Sequence, residues 1–166
     1  LYPTCVGVIT SLQGSVIEDI LETVRGRWPC KIFIYSVPVQ GLKAAEKISA
    51  SIDYFNNLHD PRKKPDLLII ARGGGSVEDL WVFNEEILIE KVFKSKLPIV
   101  SAIGHETDTT LIDMVSDIRA PTPTKAAVIV TPNKADISSK IKIIKSRIQN
   151  SILHIIDENN KKTLFQ

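Results

Sequence analysis

Four short runs of branched apolar residues, Cys5–Thr10, Ile32–Val37, Leu67–Ala71 and Ile99–Ile103, alternate with segments of helical periodicity. In Ser15–Arg27, Leu42–Leu58 and Glu78–Lys94 the apolar residues recur at three-and-four spacing, as with Ile17, Ile20, Leu21 and Val24. A near-continuous apolar run suits a strand covered on both faces, and parallel neighbours need a crossover helix. The chain is therefore expected to form an α/β fold, an open, mostly parallel doubly wound sheet with helices on both faces. Helix starts are legible: Ser15 precedes the first, Ser76 and Asp79 have capping-box spacing, and the run Arg119-Ala120-Pro121-Thr122-Pro123-Thr124 reads as a rigid loop capping a later one. With 166 residues, 43% of them hydrophobic and 24% charged, a substantial core is within reach and disorder is not expected. The net charge of +2 permits nucleic acid as a partner without arguing for it. No apolar run is long enough to span a membrane.

From about Asn133 the pattern changes. Ile137, Ile141, Ile144, Ile148, Ile152 and Ile155 form one stripe on a long helix, with Lys140, Lys142, Lys145 and Arg147 elsewhere around it. Residues 1–132 are thus expected to form the α/β domain, and 133–166 a helical extension, the start of a coiled-coil-like region needing a partner. Cys5 and Cys30 have no metal-ligand spacing and read as buried reduced thiols of a cytosolic protein. The start at Leu1, without Met or a signal-peptide pattern, is what an excised fragment shows.

Ligands of open parallel sheets bind beyond the carboxyl ends of the strands, and the polar residues of this chain gather there. The first strand ends in Thr10-Ser11 and leads to Asp19 early in its helix; the second leads to Gln40-Gly41. The third ends in Arg72-Gly73-Gly74-Gly75-Ser76, the fourth in Gly104-His105-Glu106-Thr107-Asp108. Three glycines let backbone N–H groups approach a phosphate, and a guanidinium beside them grips phosphate oxygens in a bidentate fork. The loop lacks the Gly-Lys-Ser/Thr ending of a P-loop and the third glycine of the dinucleotide fingerprint. Glu78 and Asp79 put negative charge at the helix start, so a plain capped turn competes with anion binding. His105 can move a proton near neutral pH, and Asp108 can orient it, hold a cation or simply cap the helix that follows. Asp113 and Asp117, one helical turn apart, could suit a metal but read rather as a solvated or salt-bridged face, and His59 and His154 read as surface residues. Arg119 is a further candidate for phosphate. Trp81 and Phe83 read as core, with base stacking as the alternative.

Ala71-Arg72-Gly73-Gly74-Gly75-Ser76-Val77-Glu78-Asp79-Leu80-Trp81 with Phe83-Asn84 closely resembles the signature of the exonuclease VII large-subunit family. So do Gly104-His105-Glu106-Thr107-Asp108, Asp117-Ile118-Arg119-Ala120-Pro121-Thr122-Pro123-Thr124 and Val6-Gly7-Val8-Ile9-Thr10-Ser11, across Tyr2 to Ala127. Lys125 departs from the family pattern after Thr124. The resemblance implies the central nuclease domain of a bacterial, cytoplasmic enzyme that degrades single-stranded DNA from either end and releases 5′-phosphates. It implies Asp19, Arg72, His105 and Asp108 as catalytic residues. It also implies many copies of a small helical subunit on the helical extension, with large-subunit self-association open. The family's oligonucleotide-binding barrel has no counterpart in these residues. Thr10, Ser11, Gly73, Gly74, Gly75, Ser76 and Arg119 are expected to line the phosphate or DNA path. Asp19 and Asp108 suit Mg2+ or Mn2+, and a metal-free proton relay is equally open. A nucleotide- or sugar-phosphate-binding enzyme would use the same crevice but lacks an acid after the second strand; a non-catalytic scaffold would leave it idle.

Overall fold

The computed structural model describes residues 2–105 and 107–164, so Leu1 and Glu106 of the fourth strand-end motif lie outside it. Two compact units divide the chain, Leu1–Pro132 and Asn133–Gln166. In the first, β1 (Cys5–Thr10), β2 (Lys31–Ser36), β3 (Leu67–Arg72), β4 (Ile99–Ile103) and β5 (Ile118–Arg119) form a parallel sheet in the order β2-β1-β3-β4-β5. The side chains of the central strands alternate between two cores. Ile9, Leu68, Ile70, Ile99 and Ile103 face α2 (Ala44–Asn56) and α4 (Glu86–Phe93). Val6, Val8, Leu67, Ile69, Ala71, Val100 and Ala102 face α1 (Val16–Arg27) and α6 (Pro123–Val130). This is the doubly wound α/β architecture expected from the alternating runs. Gly7 has a packing reason: a Cβ there would lie 2.6 Å from Leu68 Cδ2, in the middle of the β1–β3 register.

Three details depart from the pattern reading. The expected third helix, Glu78–Lys94, is broken into α3 (Val77–Leu80), a 3-10 turn (Trp81–Asn84) and α4. Glu85 between them is extended (φ −72°, ψ 131°), and the Asn84 carboxamide accepts the Leu111 N–H at 2.7 Å. That bond comes from 27 residues downstream, so no local periodicity could reveal it. The fifth strand is only Ile118–Arg119, too short to leave an alternation. Trp81 is 65% exposed whereas Phe83 is fully buried, so the core reading holds for Phe83 and fails for Trp81. The 3-10 turn separates the two by a different rotation than an α-helical face would.

Cys5 is buried, Cys30 half-buried, and both are free thiols. Burial, with Asp66 nearby, pushes the Cys5 thiol up to about 11, which keeps it protonated and unreactive near neutral pH. The second unit is α7 (Lys134–Leu164). Taken by itself it leaves Ile141, Ile144, Ile148, Ile152 and Ile155 more than half exposed. None of the helices described is long and apolar enough to cross a membrane.

Candidate active site

The strand order reverses between β1 and β3: the chain leaves β1 toward β2 on one side and places β3 and β4 on the other. At such a reversal the connections diverge and a crevice opens beyond the strand ends. Here it has a volume of about 280 Å³ and is lined by Thr10, Ser11, Gln13, Gly14, Ser15, Val16, Val39, Gln40, Arg72, Gly73 and Gly74. Gly14 turns the β1–α1 loop with φ +96°, a backbone conformation that side chains disfavour. Thr10 is fully buried on the wall, and its Oγ1 has no hydrogen-bond partner among the described residues.

Arg72 ends β3 and is only 5% exposed. Its Nη1 donates to the Gly73 carbonyl at 3.0 Å, and its Nη2 donates to Gln40 Oε1 at 3.0 Å and pairs with Asp79 Oδ2 at 3.2 Å. The glycines beside it are needed sterically. A Cβ on Gly75 would fall 1.9 Å from Arg72 Nη1, and one on Gly74 would fall 1.9 Å from His105 Cε1. The glycine loop therefore lies directly against both the guanidinium and the imidazole. Ser76 is committed elsewhere: its hydroxyl accepts the Asp79 N–H at 3.4 Å and caps α3.

β3 and β4 are in register at Arg72 and Ile103, and the Gly104 N–H donates to the Arg72 carbonyl at 3.2 Å, so the two strand-end motifs sit side by side. Gly104 has φ +66°, and a Cβ there would lie 2.6 Å from Asp108 Oδ2. Asp108 accepts the His105 backbone N–H at 2.8 Å on Oδ2, which also lies 3.6 Å from His105 Nδ1; the Thr107 hydroxyl reaches Oδ1 at 3.4 Å. The bond from the His105 backbone N–H holds the Asp108 carboxyl below the usual carboxylate range. Asp108 is not the cap of the next helix. That role belongs to Thr110, which forms a capping box with Asp113 ahead of α5 (Leu111–Val115).

Arg119 donates from Nη2 to the Asp108 carbonyl at 2.8 Å and lies 3.7 Å from Asp113 Oδ2, so it braces the β4 loop from β5. Asp113 in turn accepts from the Ser101 hydroxyl at 2.6 Å, and Asp117 accepts the Ile99 N–H at 2.8 Å. Both carboxylates are structural. Asp19 is exposed on α1, and its carboxylate accepts from Ser15, a crevice residue, at 3.3 Å. The structure thus brings Arg72, Gly73, Gly74, Gly75, His105 and Asp108 into contiguity, with Thr10 and Ser11 on the facing wall. Among the described residues Asp19 makes no hydrogen bond or ion pair with that group. Gln40 and Asp79 are the Arg72 partners that the sequence did not reveal: Gln40 stood out only as a strand-end residue, and Asp79 as a capping residue whose charge opposes an anion.

Among the described residues no three carboxylate, imidazole or thiolate side chains gather to hold a metal ion. Asp108 already receives two N–H or O–H donors, and Asp19 one.

The profile of the family described as Exonuclease VII, large subunit matches residues 1–165. The exodeoxyribonuclease 7 large subunit of Caulobacter vibrioides is 49% identical over 162 residues, covering 96% of this chain and 32% of that protein. The Clostridioides difficile protein of the same name is 48% identical over 166 residues, covering 98% of this chain and 40% of its own length. The Cereibacter sphaeroides one is 53% identical over 137 residues, 81% of this chain and 26% of its own. The chain spans about a third of the length of these relatives. With a doubly wound sheet, a crevice at its strand reversal and a profile match along nearly its whole length, the chain belongs to the exonuclease VII large-subunit family.

Proposed function

We propose that this chain carries the catalytic centre of an exodeoxyribonuclease that hydrolyses phosphodiester bonds of single-stranded DNA from both ends, leaving 5′-phosphates. The observation that supports it most is the contact of one glycine loop with both a buried guanidinium and an imidazole–carboxylate pair. Hydrolysis needs those two capacities together: offsetting charge on the phosphoryl oxygens and moving a proton from water. Arg72 and the Gly73–Gly75 N–H groups take the developing negative charge. His105 accepts a proton from the attacking water through Nε2, while the Asp108 carboxylate beside Nδ1 favours the protonated ring. The bond from phosphorus to the 3′ oxygen breaks, that oxygen takes a proton from solvent, and the phosphate stays on the 5′ side. Thr10, Ser11 and Arg119 border the path, Arg119 through the loop it braces. Asp19, through Ser15, shapes the β1–α1 wall.

Trp81 is free to stack on a base, unlike Phe83. A stacking contact contributes about 1–3 kcal/mol per base, so Trp81→Ala should raise KM for an oligodeoxynucleotide by about tenfold. The exposed isoleucine stripe of α7 suits several copies of a small helical subunit, or a second large subunit. The bacterial relatives and the free thiols fit a cytoplasmic enzyme.

The test is hydrolysis of an end-labelled single-stranded oligodeoxynucleotide by the full-length large subunit assembled with its small subunit. His105→Ala and Arg72→Ala should each abolish most turnover while the oligonucleotide still binds. Full activity in both variants would sink this reading.

A further inference from the structure

Arg72 lies too deep to be solvated, so its N–H groups need protein acceptors. The two acceptors on Nη2 differ in place and in charge. Gln40 Oε1, at 3.0 Å, is neutral and lines the crevice beside Arg72. Asp79 Oδ2, at 3.2 Å, is an anion that stands outside the crevice lining and reaches Arg72 from α3. Asp79 is itself held, since its backbone N–H is bound by the Ser76 hydroxyl that starts the helix. Its side chain is 42% exposed against 6% for Arg72, so the pair straddles the surface, with the guanidinium as the buried partner. A DNA phosphate arriving in the crevice meets the amide first. It can take the amide's place on Nη2 without like-charge repulsion, and it need not displace the carboxylate behind.

We propose that Asp79 is a positioning residue that aims the Arg72 guanidinium into the crevice, while Gln40 holds the place on Nη2 that a DNA phosphate oxygen takes. This rests on the reading of Arg72 as the phosphate-charge acceptor of a nuclease. Asp79 acts through Arg72 alone. It reconciles an acidic helix start with an anion site, because the charge that would repel a phosphate is neutralised by the group that binds it.

The experiment measures kcat and KM on a single-stranded oligodeoxynucleotide, using the full-length large subunit with its small subunit. Asp79→Ala should lower kcat about tenfold with KM shifted less than about threefold, the pattern of a lost transition-state interaction. Asp79→Glu should recover much of that loss. In an Arg72→Ala background, Asp79→Ala should have no further effect beyond about twofold, since residues acting as one unit are not additive. Asp79→Asn, which keeps the shape and the cap, should reproduce the loss and serves if the alanine variant fails to fold. An undiminished Asp79 effect in the Arg72→Ala background, or a wild-type kcat in Asp79→Asn, overturns the proposal. If Arg72→Ala itself keeps wild-type kcat, the nuclease reading of Arg72 fails instead.

Discussion

β3 and β4 end next to each other, yet their loops hold their charged groups in opposite ways. Arg72 is 5% exposed and shares three acceptors, Gly73, Gln40 and Asp79, from three parts of the chain. The His105 side chain is 69% exposed, and Asp108 of the same loop lies 3.6 Å from it. The difference suits the two chemical tasks proposed for these groups. A group that stabilises charge works best when its direction is set before the substrate arrives. A group that exchanges protons with water needs solvent contact and some freedom to turn. In the proposed mechanism, burial of the guanidinium would supply preorganisation, and exposure of the imidazole access.

That contrast is most directly broken at Arg72. Arg72→Ala should lower kcat on the order of a hundredfold or more, with a small change in KM. Arg72→Lys should recover little, because a point charge cannot serve several acceptors in one plane. Equal losses in binding and turnover would make Arg72 a simple anchor and remove the distinction between the two loops.

The glycine loop sharpens the comparison, because adjacent residues touch the two groups separately. Gly75→Ala drives a Cβ into the clamped guanidinium, and Gly74→Ala drives one into an exposed ring that can swing aside. Gly75→Ala should therefore lower kcat by about tenfold or more and Gly74→Ala clearly less, since displacing a site group by an ångström is costly only where it cannot return. Steady-state rates of the two variants would decide it, and a reversed order would contradict the clamped-versus-free distinction.

Arg119 tests how far the β4 loop depends on outside support. Its bond to the Asp108 carbonyl ties that loop to β5. Arg119→Ala should lower kcat several-fold and leave the melting temperature of the sheet within a few degrees, as a loss of about 1 kcal/mol would.

The smallest expected effect concerns acid. The His105 backbone N–H bond lowers the Asp108 carboxyl below its unfolded value. A group depressed on folding adds stability above its unfolded pKa, and that stability is lost as pH falls through the lower folded value. The loop should thus hold its Asp108 bond down to below about pH 4, the ordinary carboxylate value. Asp108→Asn should flatten the pH dependence of stability in that acid window and leave it unchanged near neutrality. Chemical denaturation across pH 2 to about 6 covers the window on both sides of that value.

The parallel sheet was legible because strands buried on both faces must be apolar throughout, and the helices between them must be amphipathic. β1 and β4 fall on the expected residues, and β2 and β3 within a residue. The candidate groups were legible as well, because ligand chemistry concentrates at strand carboxyl ends and those ends are visible as the limits of apolar runs. Local pattern could not reveal what depends on distant residues: the break at Glu85 tied to Leu111, a strand as short as β5, and the exposure of Trp81 beside a buried Phe83.

The same boundary runs through the site itself. The residues alone determined which chemical groups stand at each strand end and that glycine follows Arg72. Only the tertiary structure decided that β1 and β3 flank the crevice, that Arg72 is buried while His105 is not, and that Asp79 and Gln40 meet on one guanidinium nitrogen. Sequence periodicity records what each segment needs from water, one segment at a time. Strand order and hydrogen bonds between remote residues record which segments meet, and no single segment carries that information.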